Sequence, residues 1–237
     1  MEGARSQGVG EDKVTSARHG LVGECELHAL LESTAAFHED LVVLVQTLAP
    51  LPDDRSRVAF RAASLALEHS LSIFNLFHAG NFASSLALMR PQFESLLRAV
   101  WLLHVAPASW VVKLSKPLTQ ESARKANKLP RIGEMLTQLE ADEDVESHIV
   151  EQLRGFETTL LGSLSSFTHG GVHPLARLAS GYTAKLVYDA MLNSNAITSF
   201  TAQLLFISDG RGRMPILKAL HGAHAGCFNI VNTSSGR

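Results

Sequence analysis

From Ala83 to Val105 the chain is mostly Leu, Ala, Phe and Val, and Arg90, Pro91, Glu94 and Arg98 are set into this apolar stretch. On a helix, positions 90, 94 and 98 fall on one face, one turn apart. Two guanidiniums and a carboxylate therefore share a seam on a segment whose composition demands interior packing. Charge survives in an interior only when it is paired and hydrogen-bonded. Phe93, Leu96, Leu97, Val100 and Leu102 crowd the same segment, which leaves little of it to face water. The helix is thus expected to be central, with Arg90, Glu94 and Arg98 largely buried and mutually bonded. Removal of Glu94 from such a set would cost roughly 3–5 kcal/mol.

The rest of the chain repeats the helical period. Glu24 to Leu48 places Leu residues at three- and four-residue steps and closes on Ala49-Pro50-Leu51-Pro52. Asp53 and Asp54 supply a cap and early acids for a helix from Arg55 to about Ala79. Gly80-Asn81 then turns the chain into the helix Phe82 to Val105, kinked by Pro91, so that 55–105 forms a central antiparallel hairpin. Further helices are expected over Ala108 to Lys116, Arg131 to Leu139, Asp142 to Phe167, and His173 to Ser208, the last loosened near Gly181. No segment reads as a strand. The expected fold is all-α, a single-domain bundle of five to seven helices over 24–208. A polar tail (1–23) precedes it, and a Gly-rich tail (209–237) with at most one helical turn follows.

Composition narrows the function classes. A chain of 237 residues with net charge −2 has room for a sizeable core and is no general polyanion binder. It has no run of about 18 uncharged apolar residues, so no membrane partner is expected. Met1 to Gly20 lacks a signal-peptide core, and two cysteines make no disulfide framework, which points to a cytoplasmic protein.

Three constellations bear on chemistry. Two Arg against one Glu leave a positive charge on the seam in need of a partner, either a further acid such as Glu68 or Glu157 or an anionic ligand. Arg suits bidentate recognition of carboxylate or phosphate. The seam is therefore either a structural ladder that fixes helix register or the floor of an anion site, with Trp101 beside it. The second constellation runs from Ser165 to His173 and holds His169 and His173 about two glycines. His169 reads as a helix C-terminal His or as an acid/base facing the seam, brought to Arg90 and Arg98 if the helix ending at Gly170 packs on the hairpin. The intervening glycines and the lack of a further ligand argue against a metal there. His221, His224 and Cys227 also lack a fourth ligand, so no metal and no cofactor are expected. Third, Lys113 to Arg131 is strongly basic. It reads as a solvated connection or as a landing strip for RNA or another phosphate-bearing ligand.

The string Leu88-Met89-Arg90-Pro91-Gln92-Phe93-Glu94, followed by Arg98 and Trp101, resembles an uncharacterised family of bacterial all-helical proteins. The segment Ser166-Phe167-Thr168-His169-Gly170 also looks like theirs. That likeness implies a fold and no reaction. More distantly, Arg98 and His104, with five residues between them, are similar to the Arg/His pair of the HEPN superfamily, which includes metal-independent ribonuclease toxins whose sites assemble across a homodimer. This resemblance implies a ribonuclease effector of a defence or toxin system, with Arg98 and His104 or His169 as the working pair. The same six-residue step sets Arg98 and His104 about 120° apart around a continuous helix. A non-catalytic protein that binds an anionic ligand or a protein partner at the seam, an RNase-type effector, and a structural scaffold are the three functional expectations.

Overall fold

A computed structural model describes residues 23–117, 119–120 and 129–228. Among these residues there are nine α-helices and no strand, so the fold is all-α. The helices are α1 (Glu24–Val45), α2 (Asp54–His78), α3 (Phe82–His104), α4 (Ala108–Ser115), α5 (Ile132–Glu140), α6 (Ser147–Thr168), α7 (Val172–Ser180), α8 (Ala184–Asp209) and α9 (Met214–Ala223). A 3₁₀ turn, Ala225–Cys227, closes the described chain. The expected tail 1–23 lies almost wholly outside the described residues.

The α2–α3 hairpin is the centre of the molecule, and its two helices form the most extensive pairing in the fold. Asp53 caps α2 by accepting from the Ser56 amide at 2.8 Å. Gly80, at φ 76°, supplies the left-handed turn that sends the chain back. Phe93, Leu96, Leu97 and Trp101 of α3 lie in the core against residues of α2, α5, α6 and α8. Arg55, at the start of α2, closes the hairpin. It donates to the Leu102 and Ala106 carbonyls, both at 2.7 Å, and so satisfies the end of α3.

The helix count exceeds the expected five to seven for two reasons. Gly181 does more than loosen a long helix. At φ 83° it breaks the chain into α7 and α8, and Thr183 restarts the helix by accepting from the Leu186 amide. Beyond Asp209 the chain forms the ten-residue α9 where one turn at most was expected, because Leu217, Leu220 and Cys227 find buried places in the core. The helix expected from Asp142 instead begins at Ser147. Asp142 uses its carboxylate to accept from the Asp144 amide, which favours a turn among these clustered acids.

Candidate functional site

Helices α3 and α6 run antiparallel, and their contact is built by the two motif segments of the sequence. Arg90 donates through Nε to Glu94 Oε1 at 2.8 Å and through Nη1 to Ser165 Oγ. Arg98 donates through Nη2 to Glu94 Oε2 at 2.9 Å. Each oxygen of Glu94 thus takes one guanidinium, and the three side chains form a continuous ladder. The side chains of Arg90, Glu94 and Arg98 are 25%, 20% and 31% exposed, so the ladder is half-buried and not enclosed as its apolar surroundings suggested. Packing against α6 covers one side and leaves the other to water. Glu94→Ala is accordingly expected to cost about 1–2 kcal/mol, because water can take up part of the freed hydrogen bonding. Thermal or denaturant unfolding checks it.

Pro91 explains why Thr168 belongs to the same site. Proline has no N–H to donate to the carbonyl four residues earlier, here that of Ala87. Thr168 Oγ1 shares its one proton between that carbonyl at 3.2 Å and its own Leu164 carbonyl at 2.9 Å. α3 therefore runs unbroken through Pro91, with α6 supplying a donor that the helix itself lacks. Thr168→Val should cost about 1 kcal/mol in the parent chain and markedly less in a Pro91→Ala background, where the restored amide reaches Ala87. A double-mutant cycle on unfolding free energy reads this coupling.

The acids named as further partners for the seam lie elsewhere. Glu157 pairs with Arg154 at 2.7 Å, and Arg154 also holds Glu140 through two hydrogen bonds. These carboxylates, Glu140 first, push the Arg154 pKa up. Glu68 is exposed and makes no ion pair among the described residues. The extra positive charge therefore stays on the α3 seam. Arg98 carries it most openly, because its side chain is the most exposed of the three, while its Nε is buried without an acceptor among the described residues.

The histidines do not converge on Arg98. The Thr168–Ala87 bond sets the register of α6 on α3, and Arg98 lies eleven residues beyond Ala87, about 16 Å along the axis at 1.5 Å per residue. α6 does pack on the hairpin, but it delivers Ser165 to Arg90 and leaves the backbone of His169 at the opposite end of the seam from Arg98. The glycines after His169 serve the turn. Gly170 has φ 65°, and a Cβ on Gly171 would lie 2.6 Å from Ser166 Oγ. Ser166 Oγ in turn accepts from the His173 amide, and the exposed His173 ring stacks on Phe167. His104 ends α3 near Asp142 and Arg55, and no hydrogen bond joins it to Arg98. Partial burial lowers its pKa, Asp142 opposes that shift, and Arg55 adds to it.

Trp101 is a core residue and not part of an open site. It is 1% exposed, and its indole donates to Gln138 Oε1 at 2.7 Å. In the basic segment, Lys113 lies over the Trp110 ring at 4.4 Å, and Arg124, Lys125 and Lys128 lie outside the described residues. No group of three or more His, Cys, Asp or Glu among the described residues is arranged to hold a metal. His221 and His224 bond separately, to Ser199 and Asp40, and Cys227 is buried.

Residues 63–230, which include the whole seam and its α6 partners, match a family of unknown function, DUF6988. The chain belongs to that family. No curated protein and no solved structure matches it.

This DUF6988 protein also holds a buried polar layer that sequence reasoning missed. Gln92 of α3 donates to the Ser194 carbonyl at 3.0 Å and to Thr198 Oγ1, while Ser194 Oγ donates back to Gln92 Oε1. Ser70 of α2 meets Thr198 and, at 3.4 Å, His38 of α1. Asn195 donates to Thr34 Oγ1 and to the Cys227 carbonyl. The only sequence signal is the spacing of Ser194 and Thr198, one turn apart on α8.

Proposed function

We propose that the protein binds an anionic group, of a small ligand or of a protein partner, at the Arg90/Glu94/Arg98 seam, and that it performs no catalysis there. Arg98 carries this reading. Its side chain is 31% exposed, it spends one nitrogen on Glu94, and its buried Nε–H has no acceptor among the described residues. One carboxylate for two guanidiniums leaves charge to be matched, and α6 holds the ladder in place through Ser165. A fixed, partly desolvated guanidinium is well suited to a phosphate or carboxylate.

Calorimetric titration with inorganic phosphate and pyrophosphate at low ionic strength tests the proposal. Saturable binding is expected for the parent chain, weakened about tenfold in Arg98→Gln, equivalent to about 1.4 kcal/mol. Equal binding by both would overturn it. The HEPN-like ribonuclease reading needs a histidine from a second copy, since within one chain neither His104 nor His169 is bonded to Arg98. Cleavage of labelled RNA that is lost in both Arg98→Gln and His104→Ala would replace the present proposal with that one.

A further inference from the structure

Helix α7 reverses the usual order of an amphipathic helix, which turns its apolar face to the core. Val172, Leu175 and Leu178 are 78%, 64% and 72% exposed, more than any other large apolar side chain among the described residues. On a helix they fall in one arc, and Arg177, the only Arg, Lys, Asp or Glu of α7, lies on the opposite face. Of the nine residues only Pro174 is buried, so α7 stands out from α6, on which it packs, as an apolar ridge. Charge around the ridge is one-sided. No Asp or Glu occurs from 158 to 188, through the end of α6, all of α7 and the start of α8, or from 69 to 93, through the hairpin turn. These stretches meet, since Thr168 bonds the Ala87 carbonyl and the Tyr182 ring packs on Phe82 at 5.2 Å. The next acid on α8, Asp189, is paired with Lys185 at 2.8 Å. α1 brings Glu24, Glu26 and Glu32 towards this end, but it packs on α2, α8 and α9, Glu26 accepts from the Gly23 amide, and Glu32 pairs with His28. The acid-rich groove lined by Glu140, Asp142, Glu143, Glu146 and Glu151 lies at the other end of the 22-residue α6, about 33 Å away at 1.5 Å per residue.

A second copy covers such a ridge poorly. Three side chains expose on the order of a few hundred Å², against about 800 Å² per partner in a stable interface. A bilayer surface needs no matching shape, takes up an apolar arc of this kind, and attracts cations while repelling carboxylates. Among the described residues no single helix is long and apolar enough to cross a membrane, so the contact is with its surface. We propose that α7 docks the protein on an anionic lipid surface, with Val172, Leu175 and Leu178 at the boundary of headgroups and acyl chains and the acid-rich end turned away. Co-sedimentation of the full chain with vesicles of phosphatidylcholine, alone or mixed equally with phosphatidylglycerol, tests it. Saturable binding is expected to the mixed vesicles, weaker to phosphatidylcholine alone, and lowered but not abolished by raised salt. Leu175→Ser/Leu178→Ser should weaken binding at least about tenfold, and Arg177→Gln should reduce the preference for the anionic vesicles. In Leu175→Trp, brominated acyl chains should quench the added indole. No binding to the mixed vesicles, equal binding to both kinds, unchanged affinity in the double leucine variant, or an unquenched indole would each overturn the proposal. A dimer in sedimentation equilibrium that the double variant abolishes would overturn it as well, because it puts a second copy on α7. Quenching in Leu175→Trp decides the matter if the double variant does not fold.

Discussion

Asp209→Ala is expected to lower the midpoint of thermal unfolding by about 10 °C. The Asp209 carboxylate is fully buried at the end of α8 and holds three separate groups. It bonds Arg211, accepts from Arg213 Nε at 3.1 Å, and accepts from the Ala49 amide at 2.9 Å. The same two arginines reach the Thr47 carbonyl, so one side chain ties the α1–α2 connection to the end of α8. Gly210 makes the approach possible. It has φ 68°, and a Cβ there would lie 2.7 Å from a Leu51 methyl. Breaking a buried ion pair by removing one partner costs about 3–5 kcal/mol. Arg211 is half-exposed and can turn to water, which puts this site at the low end. For a domain of this size each kcal/mol moves the midpoint by about 2–4 °C. Burial pushes the Asp209 carboxyl up, but the hydrogen bonds from Arg211, Arg213 and Ala49 outweigh it and hold the pKa well below the usual range. Its stabilisation is therefore complete above the unfolded value, about pH 4, and is lost only as pH falls through the folded one. Asp209→Asn should keep the Ala49 bond, lose most of the stability, and blunt the acid sensitivity below about pH 4.

The second large effect is a loss of stability in mild acid, caused by His38. Its folded pKa of about 4 lies below the ordinary value of 6.5, and desolvation is the cause. The unfolded chain binds this proton first, so stability is full above pH 6.5, falls as pH drops, and levels off below about pH 4. A shift of that size corresponds to about 3 kcal/mol. His69, His104 and His221 are shifted the same way by burial and add to the slope. Around His38 the polar contact is Ser70 and the ring contacts are Phe37 and Phe74, so among the described residues no bonded carboxylate offsets the protonated form. Denaturant midpoints at pH 7, 5.5 and 4.5 should fall steeply in the parent chain and distinctly less in His38→Gln. Parallel slopes would show that His38 is not buried as described.

The central hairpin was legible because each of its signals is local. Asp53 caps, Gly80 turns, and the apolar residues of 83–105 exceed what a surface helix could carry. The Arg90, Glu94 and Arg98 spacing likewise announced a ladder, since i,i+4 pairing depends on one helix alone. How far that ladder is buried depends on α6, and intrahelical spacing carries no information about a neighbour. The same limit hid the role of Thr168. A proline in a helix declares a lost donor, but which residue repairs the loss is a property of packing. α9 was missed because Gly210 and Gly212 precede it and Gly222 weakens its local propensity, while its burial comes from long-range contacts of Leu217 and Leu220. The buried polar layer was invisible for a related reason. Ser and Thr inside helices are compatible with exposed faces and with cores, and only their partners tell the two apart.

The Nε–H resonance of Arg98, followed by NMR during titration with inorganic phosphate, tests anion binding at the seam most directly. The predicted result is a saturable shift of that resonance, accompanied by a smaller one at Arg90 and abolished by 0.5 M added salt only in part, because the group is half desolvated. A resonance that does not move while phosphate binds elsewhere, or does not bind at all, would contradict it.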